Sequence, residues 1–266
     1  MPELPEVQTV VATLQPKLEG RKIVAVRLNR PDIVRPGGFN LPSHLTGRRI
    51  SSISRRGKKI ILALDDGNRF VIHLGMSGRL TLETPGHDVP VHTHLILSFG
   101  DVEMRFRDPR RFGGVWWLGT SQPDENLGPE PLVLRPTQLA RRLGKTTRAV
   151  KNALLDQALV AGLGNIYVDE SLFAAGIHPL TAANQLSAAQ IARLNRAIKA
   201  TLRRALRHRG STLRDYRDAN GQSGAFQRLH RVYAQTGKPC RTCKTPIERI
   251  VLGGRSTHFC PKCQPR

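Results

Sequence analysis

The chain has 266 residues, with 42 Lys and Arg against 20 Asp and Glu, a formal net charge of +22. That excess runs through the whole chain and is not confined to one tail, so the charge reads as the surface of folded domains built for a polyanion. There is no signal peptide, no apolar run long enough to span a bilayer and no amphipathic anchor, which argues against secretion and against a membrane partner and leaves the cytoplasm or nucleoid. The length suggests two domains plus a small module, and a hydrophobic content of 39% supports ordinary cores.

The chain opens with Met1-Pro2-Glu3-Leu4-Pro5-Glu6. Pro2 suits the first turn of a helix, and Val7, Val10, Val11, Leu14 and Leu18 recur at helical spacing until Gly20 stops the run. If Met1 is removed, which a small penultimate residue favours, Pro2 becomes an N-terminal secondary amine. An amine that is neutral near pH 7 is a nucleophile for sugar carbon. Glu3 and Glu6, three apart, share one helix face beside it. The positive end of the helix lowers the amine's pKa and the carboxylates raise it, and the sequence leaves that balance open. The same six residues also fit a plain proline-started helix whose glutamates complement the dipole.

Residues 22 to 120 are expected to be β-rich. Short alternating or apolar runs fall at 22–28, 49–53, 59–64, 69–73, 79–82, 94–98, 103–106 and 115–118, separated by turn signals such as Asp65-Asp66-Gly67-Asn68. That spacing argues for a β-sandwich packed beside the first helix. Arg55-Arg56-Gly57-Lys58-Lys59 is a basic turn suited to phosphate contacts. His92 and His94 are expected to alternate onto one face of a strand, in a structural or phosphate-contacting role. Two further loops, His73 to Gly78 around Met76 and Asp108 to Gly113 with Arg110 and Phe112, carry apolar side chains beside glycines and arginines. Such tips are what a protein inserts between bases when it kinks a duplex.

A stretch from Gly119 to Pro136 rich in Pro, Gly, Asn and acidic residues marks a domain boundary. Helical patterns follow at 137–143, 148–157, 166–175 and 187–208. The last opens on a Ser187–Gln190 capping box, buries Ile191, Leu194, Ile198, Leu202 and Ala205, and ends at Gly210. Between the second and third, Ala161-Gly162-Leu163-Gly164-Asn165 lets backbone approach another chain closely. Asn165 is expected to cap the next helix, whose free N–H groups suit a phosphate.

The only cysteines, Cys240, Cys243, Cys260 and Cys263, form C-x2-C-x16-C-x2-C at the end of the chain. Two close pairs of thiols match one tetrahedral structural zinc ion, Zn2+. The segment from Gln227 is too short to hold itself together by apolar burial, so metal binding supplies its folding energy. Strands at 247–252 and 256–259 joined around Gly253-Gly254 make a zinc-ribbon hairpin with Arg255 at its tip. The fold class expected is α+β, with a sandwich domain at 1–118, a linker at 119–136, a helical domain at 137–226 and a ribbon at 227–266.

Pro2 to Val7, His73 to Gly78, Asp108 to Gly113, Gly162 to Tyr167 and the four-cysteine ribbon with Gly254-Arg255-Ser256-Thr257 occur in this order along nearly the whole chain. Together they resemble bacterial formamidopyrimidine-DNA glycosylase. The resemblance implies a helix-two-turn-helix domain beside the sandwich, and double-stranded DNA containing oxidised bases or abasic sites as partner. It implies excision of oxidised purines through a Schiff base on Pro2, then strand cleavage by β- and δ-elimination. Glu3 is implied as general acid and proton carrier, and Glu6 as support for the nucleophile's end of the helix. Met76, Arg110 and Phe112 are implied to fill the gap left by an extruded base. Lys58, Asn165 and Arg255 match the phosphate clamp, Lys151 and His92 are further DNA-contact candidates, and the loop from Gly210 to Phe226 corresponds to the segment that closes over the base. The chain is expected to act as a monomer. Leu4 and the Asp108 motif favour this reading over the related endonuclease VIII type, which removes oxidised pyrimidines. Pro2, Glu3, Glu6 and Lys58 argue against a non-catalytic damage-binding protein, because binding alone needs none of them.

Overall fold

The computed structural model describes residues 1–122 and 126–266. The Pro123-Asp124-Glu125 part of the expected linker lies outside the described residues. The chain divides into two compact units, one of Met1–Glu125 with His208–Ala225 and one of Asn126–Arg207 with Phe226–Arg266.

In the first unit, α1 (Leu4–Leu18) buries Val7, Val10, Val11, Leu14 and Leu18, the apolar stripe read from the sequence, and Leu4 beside them. The remaining elements are β1 (Ala25–Leu28), β2 (Val34–Arg35), α2 (Leu41–Leu45), β3 (Ile50–Arg56), β4 (Lys59–Leu64), β5 (Arg69–His73), β6 (Arg79–Glu83), β7 (Thr93–Ser98), β8 (Glu103–Arg107) and β9 (Gly114–Gly119). They form a four-stranded sheet, β1-β7-β8-β6, and a five-stranded sheet, β2-β9-β5-β4-β3. One apolar cluster holds Phe70 and Ile72 of one sheet, Leu95 and Phe106 of the other, and the buried stripe of α1. This is the expected sandwich. Its first strand is shorter than expected because Lys22 pairs with Arg49 only as an isolated bridge. The two-residue β2 and the single-turn α2 are additions, both too short to carry a readable period.

The His208–Ala225 segment closes on itself, with the N–H of Ala225 donating to the His208 carbonyl at 2.9 Å. It belongs to the first unit, although the sequence reading attaches it to the helical domain. Tyr216 and Ala219 join the sandwich core, and the Leu82 N–H donates to the Ala219 carbonyl at 2.8 Å. Two isolated apolar anchors in a polar loop have no periodicity to reveal them.

In the second unit, α3 (Pro136–Leu143) and α5 (Asn165–Ala175) pack against α6 (Ala188–Arg207), and α4 (Val150–Leu155) packs against α5. The expected capping box is present: the Gln190 N–H donates to Ser187 Oγ at 3.2 Å, and the Ser187 N–H to Gln190 Oε1 at 2.8 Å. β10 (Glu248–Leu252) and β11 (Arg255–Phe259) pair antiparallel around Gly253-Gly254, whose φ values of +56° and +72° need glycine. Glu170, buried in α5, accepts the backbone N–H groups of Arg231, Val232 and Tyr233 at 2.9 to 3.0 Å, which ties the approach to the ribbon to the helices. Burial pushes its carboxyl pKa up, and the three N–H donors oppose that. Among the described residues, no helix is long and apolar enough to cross a membrane.

Candidate active site and metal centre

The first unit buries three charged side chains close to the chain's N-terminal amine. Glu3, Glu6 and Lys58 are all buried, Lys58 on the tight β3–β4 turn where Gly57 has φ +58°. The Glu6 carboxylate is held at both oxygens: Oε2 accepts the Glu3 N–H at 2.9 Å and Oε1 accepts the Ser211 N–H at 2.7 Å. The Tyr216 hydroxyl donates to the Glu6 carbonyl at 3.3 Å. One carboxylate therefore fixes both the backbone of Glu3 and the start of the 208–225 segment. Burial lowers the pKa of the terminal amine, here on Met1; Glu3 and Glu6 raise it, the Lys58 ammonium lowers it and Asp215 raises it. With Met1 in place, desolvation outweighs the two glutamates and the net direction favours a neutral amine.

Gly210 makes the Glu6 clamp possible. Its φ is +77°, and a Cβ there would lie 2.5 Å from Glu6 Oε1, an atom pinned by the Ser211 N–H. Gly210→Ala should therefore cost about 2 to 3 kcal/mol, left-handed strain plus displacement of a buried carboxylate, which a urea melt of the purified variant would measure.

Met76 and Phe112 both stand out at loop tips, 44% and 55% exposed, and the Arg110 guanidinium lies 4.9 Å over the Phe112 ring. Taken singly, either residue would be expected in a core; neither is. His92 and His94 do not share a face. His92 has φ +68° and is exposed ahead of β7, while His94 is buried with Nε2 donating to the Asp108 carbonyl at 2.8 Å. The left-handed backbone at His92 and a bulge between Thr93 and Leu95 break the alternation the spacing suggested.

In the second unit, Asn165 is the first residue of α5 and Gly164 occupies the cap position; the Asn165 side chain donates instead to the Ser256 carbonyl at 2.8 Å. Lys151 is fully buried. Its ammonium donates to Asp169 Oδ1 at 2.7 Å and to the Ser256 carbonyl at 2.8 Å, so it lies in the interior of its unit and not on the surface. Asp169 Oδ2 accepts the His258 N–H at 2.9 Å. These contacts weld β11 to α4 and α5 and leave Arg255, one residue before the weld, exposed. Sequence reasoning missed Asp169, although adjacent acids, Asp169 and Glu170, inside a helix rich in apolar residues are a usable signal of buried polar partners.

The Sγ atoms of Cys240, Cys243, Cys260 and Cys263 lie within 4.8 Å of one another. A tetrahedral zinc about 2.3 Å from each sulfur requires S···S distances of about 3.8 Å, and the Cys240–Cys263 and Cys243–Cys260 pairs stand at 3.9 and 3.4 Å. Backbone N–H groups of Thr242 and Cys263 point at Cys240 and Cys260 Sγ, at 3.4 and 3.5 Å, as thiolate ligands require. The donor set fits one structural zinc ion, which would cross-link the two ends of the ribbon.

Glu3, Glu6 and Lys58 buried near the chain's N-terminus, on a sandwich with exposed apolar side chains at its loop tips and with a four-cysteine centre in the second unit, are the features of a DNA glycosylase. Family models for the formamidopyrimidine-DNA glycosylase N-terminal domain, its H2TH domain, and the zinc finger found in FPG and IleRS match residues 1–115, 127–217 and 237–266. The formamidopyrimidine-DNA glycosylases of Herpetosiphon aurantiacus and Bacillus subtilis are each 45% identical to this chain, covering 99% and 100% of it and the whole of each relative. The Lactococcus lactis Fpg in complex with abasic-site DNA superposes with a TM-score of 0.94 at 39% identity, over 99% of this chain and 100% of its own. The chain belongs to the formamidopyrimidine-DNA glycosylase family. It is accordingly a base excision repair enzyme, a DNA glycosylase with the family's AP lyase activity.

Proposed function

We propose that this enzyme excises oxidised purines, 8-oxoguanine and formamidopyrimidines, from double-stranded DNA and then cleaves the strand at the resulting abasic site. The observation that carries the reading is the burial of Pro2 together with Glu3, Glu6 and Lys58. Lactococcus lactis Fpg has been solved with DNA containing an abasic site and with DNA containing a Fapy-dG, which supports the same substrate class. No observation favours the pyrimidine-directed or non-catalytic alternatives. The enzyme works at the nucleoid, with 1–118, 119–136, 137–226 and 227–266 as its divisions along the chain, the 208–225 stretch of the third folding with the first.

Once Met1 is removed, the neutral Pro2 nitrogen attacks C1′ of the extruded nucleotide. The N–C1′ bond forms as the glycosidic bond breaks, and the base leaves with a proton. Glu3 protonates the sugar ring oxygen, so the ring opens to an iminium. That cation acidifies the C2′ proton; its loss expels the 3′ phosphate, a second elimination expels the 5′ phosphate, and water releases the amine. Glu6 keeps Glu3 and the 208–225 segment in register with the amine. Lys58, Asn165 and Arg255 hold phosphates, His92 contacts the backbone, and Met76, Arg110 and Phe112 fill the vacated stack. Lys151 serves this clamp from inside by fixing Ser256.

Borohydride trapping on a duplex with one 8-oxoguanine opposite cytosine tests the reading. Processed protein should give a covalent adduct, and the rate should rise with pH as the Pro2 amine loses its proton, since only the neutral amine is a nucleophile. No adduct from protein shown by intact mass to lack Met1 would sink it.

A further inference from the structure

Loops 73–78 and 108–113 meet through one buried carboxylate. Ser77 Oγ donates to Asp108 Oδ1 at 2.6 Å, the Gly113 N–H donates to Asp108 Oδ2 at 2.8 Å, and the Arg110 N–H donates to Ser77 Oγ at 3.2 Å. Behind them, His94 Nε2 holds the Asp108 carbonyl. Ser77 and Asp108 are 6% and 1% exposed, so these bonds are not shared with bulk water. The backbones also touch: a Cβ on Gly75 would lie 2.3 Å from the Gly113 nitrogen, and one on Gly113 would lie 2.4 Å from the His73 carbonyl oxygen.

We propose that Ser77 and Asp108 are positioning residues that hold the two loops as one preassembled block, so that Met76, Arg110 and Phe112 reach DNA already in their working arrangement. The inference rests on the wedge roles given above for those three side chains. A side chain that parts stacked bases works against a cost of a few kcal/mol per step, and a yielding loop would fold back before the stack opened. Ordering the block during folding removes that entropy from the binding step. The exposure of Met76 and Phe112 fits this arrangement, since neither contributes its full area to the sandwich core while both stand on turns tied together through Ser77 and Asp108.

The test is a mutant cycle read by single-turnover excision of 8-oxoguanine opposite cytosine, with 2-aminopurine beside the lesion to report unstacking. Ser77→Ala removes the hydroxyl that links Asp108 to Arg110, and two lost hydrogen bonds of ordinary strength should slow unstacking and excision by roughly tenfold. Asp108→Asn, close in shape, should move both readouts the same way. In a Met76→Ala/Arg110→Ala/Phe112→Ala background, Ser77→Ala should add less than about twofold, because there is no wedge left to position. Full tenfold slowing in that background, or normal unstacking in both Ser77→Ala and Asp108→Asn with melting temperatures near wild type, overturns the proposal while leaving the glycosylase reading intact. A wild-type chain that does not excise at all overturns both.

Discussion

Stripping the metal with an excess of a tight chelator, or replacing one ligand in Cys243→Ser, should unfold residues 237–266 and weaken DNA binding at least tenfold. The ribbon has almost no core of its own. Its apolar cluster comprises Phe173, Val232, Ile247, Cys240 and Cys260, of which two are metal ligands and Phe173 belongs to α5. A lone two-stranded hairpin is marginal in water, and Val251 of β10 is 65% exposed. Structural zinc contributes about 10–16 kcal/mol in comparable small modules, far more than the remaining contacts can replace. The loss also spreads inward. When β11 detaches, Lys151 loses the Ser256 carbonyl, Asp169 loses the His258 N–H, and Gln264 loses the Ile177 carbonyl it now holds at 2.8 Å. A buried ion pair with its outer hydrogen bonds removed costs several kcal/mol, so the destabilisation should register in α4 and α5 as well. Amide hydrogen exchange on the chelated protein would show protection lost from 237–266 and reduced around Lys151 and Asp169. Unchanged DNA affinity with the ribbon demonstrably unfolded would remove Arg255 and its supports from the phosphate clamp.

The coarse architecture was readable because it rests on period and spacing. The α1 stripe, the eight strand runs of the sandwich, the Ser187 capping box and the cysteine pairs are local patterns, and each maps onto an element or cluster of the structure. Hydrogen bonds between distant stretches leave no such trace. Nothing around Glu6 announces that Ser211, 205 residues on, will donate to it. Ser77 and Asp108 look like ordinary turn residues until their loops meet. Lys151 shows the error that follows: a lysine in a basic protein reads as a phosphate contact, but a carboxylate eighteen residues later on the adjoining helix takes it inside. The histidines failed for a different reason, since alternation assumes extended backbone and His92 is left-handed.

Glu3→Gln should bind lesion DNA with near wild-type affinity while excising 8-oxoguanine on the order of 10² to 10⁴ times more slowly, the range for loss of a positioned acid. The substitution keeps the shape of a side chain that is only 3% exposed, and the backbone bond from the Glu3 N–H to Glu6 is independent of its side chain. The start of α1 should therefore stay in place. Protonation of the amine cannot account for the loss. With Met1 in place the Glu3 carboxylate raises the terminal amine's pKa; a carboxylate beside the Pro2 amine acts in the same direction, so neutralising Glu3 lowers that pKa. The nucleophile is then more fully deprotonated at pH 7 than in the wild type, and the acid limb of the pH–rate profile should move to lower pH even as its plateau drops. That pair of changes separates a missing proton carrier from a damaged nucleophile, because a displaced amine would lower the plateau without moving the limb in that direction. Undiminished single-turnover excision by Glu3→Gln would assign the proton transfer to another group.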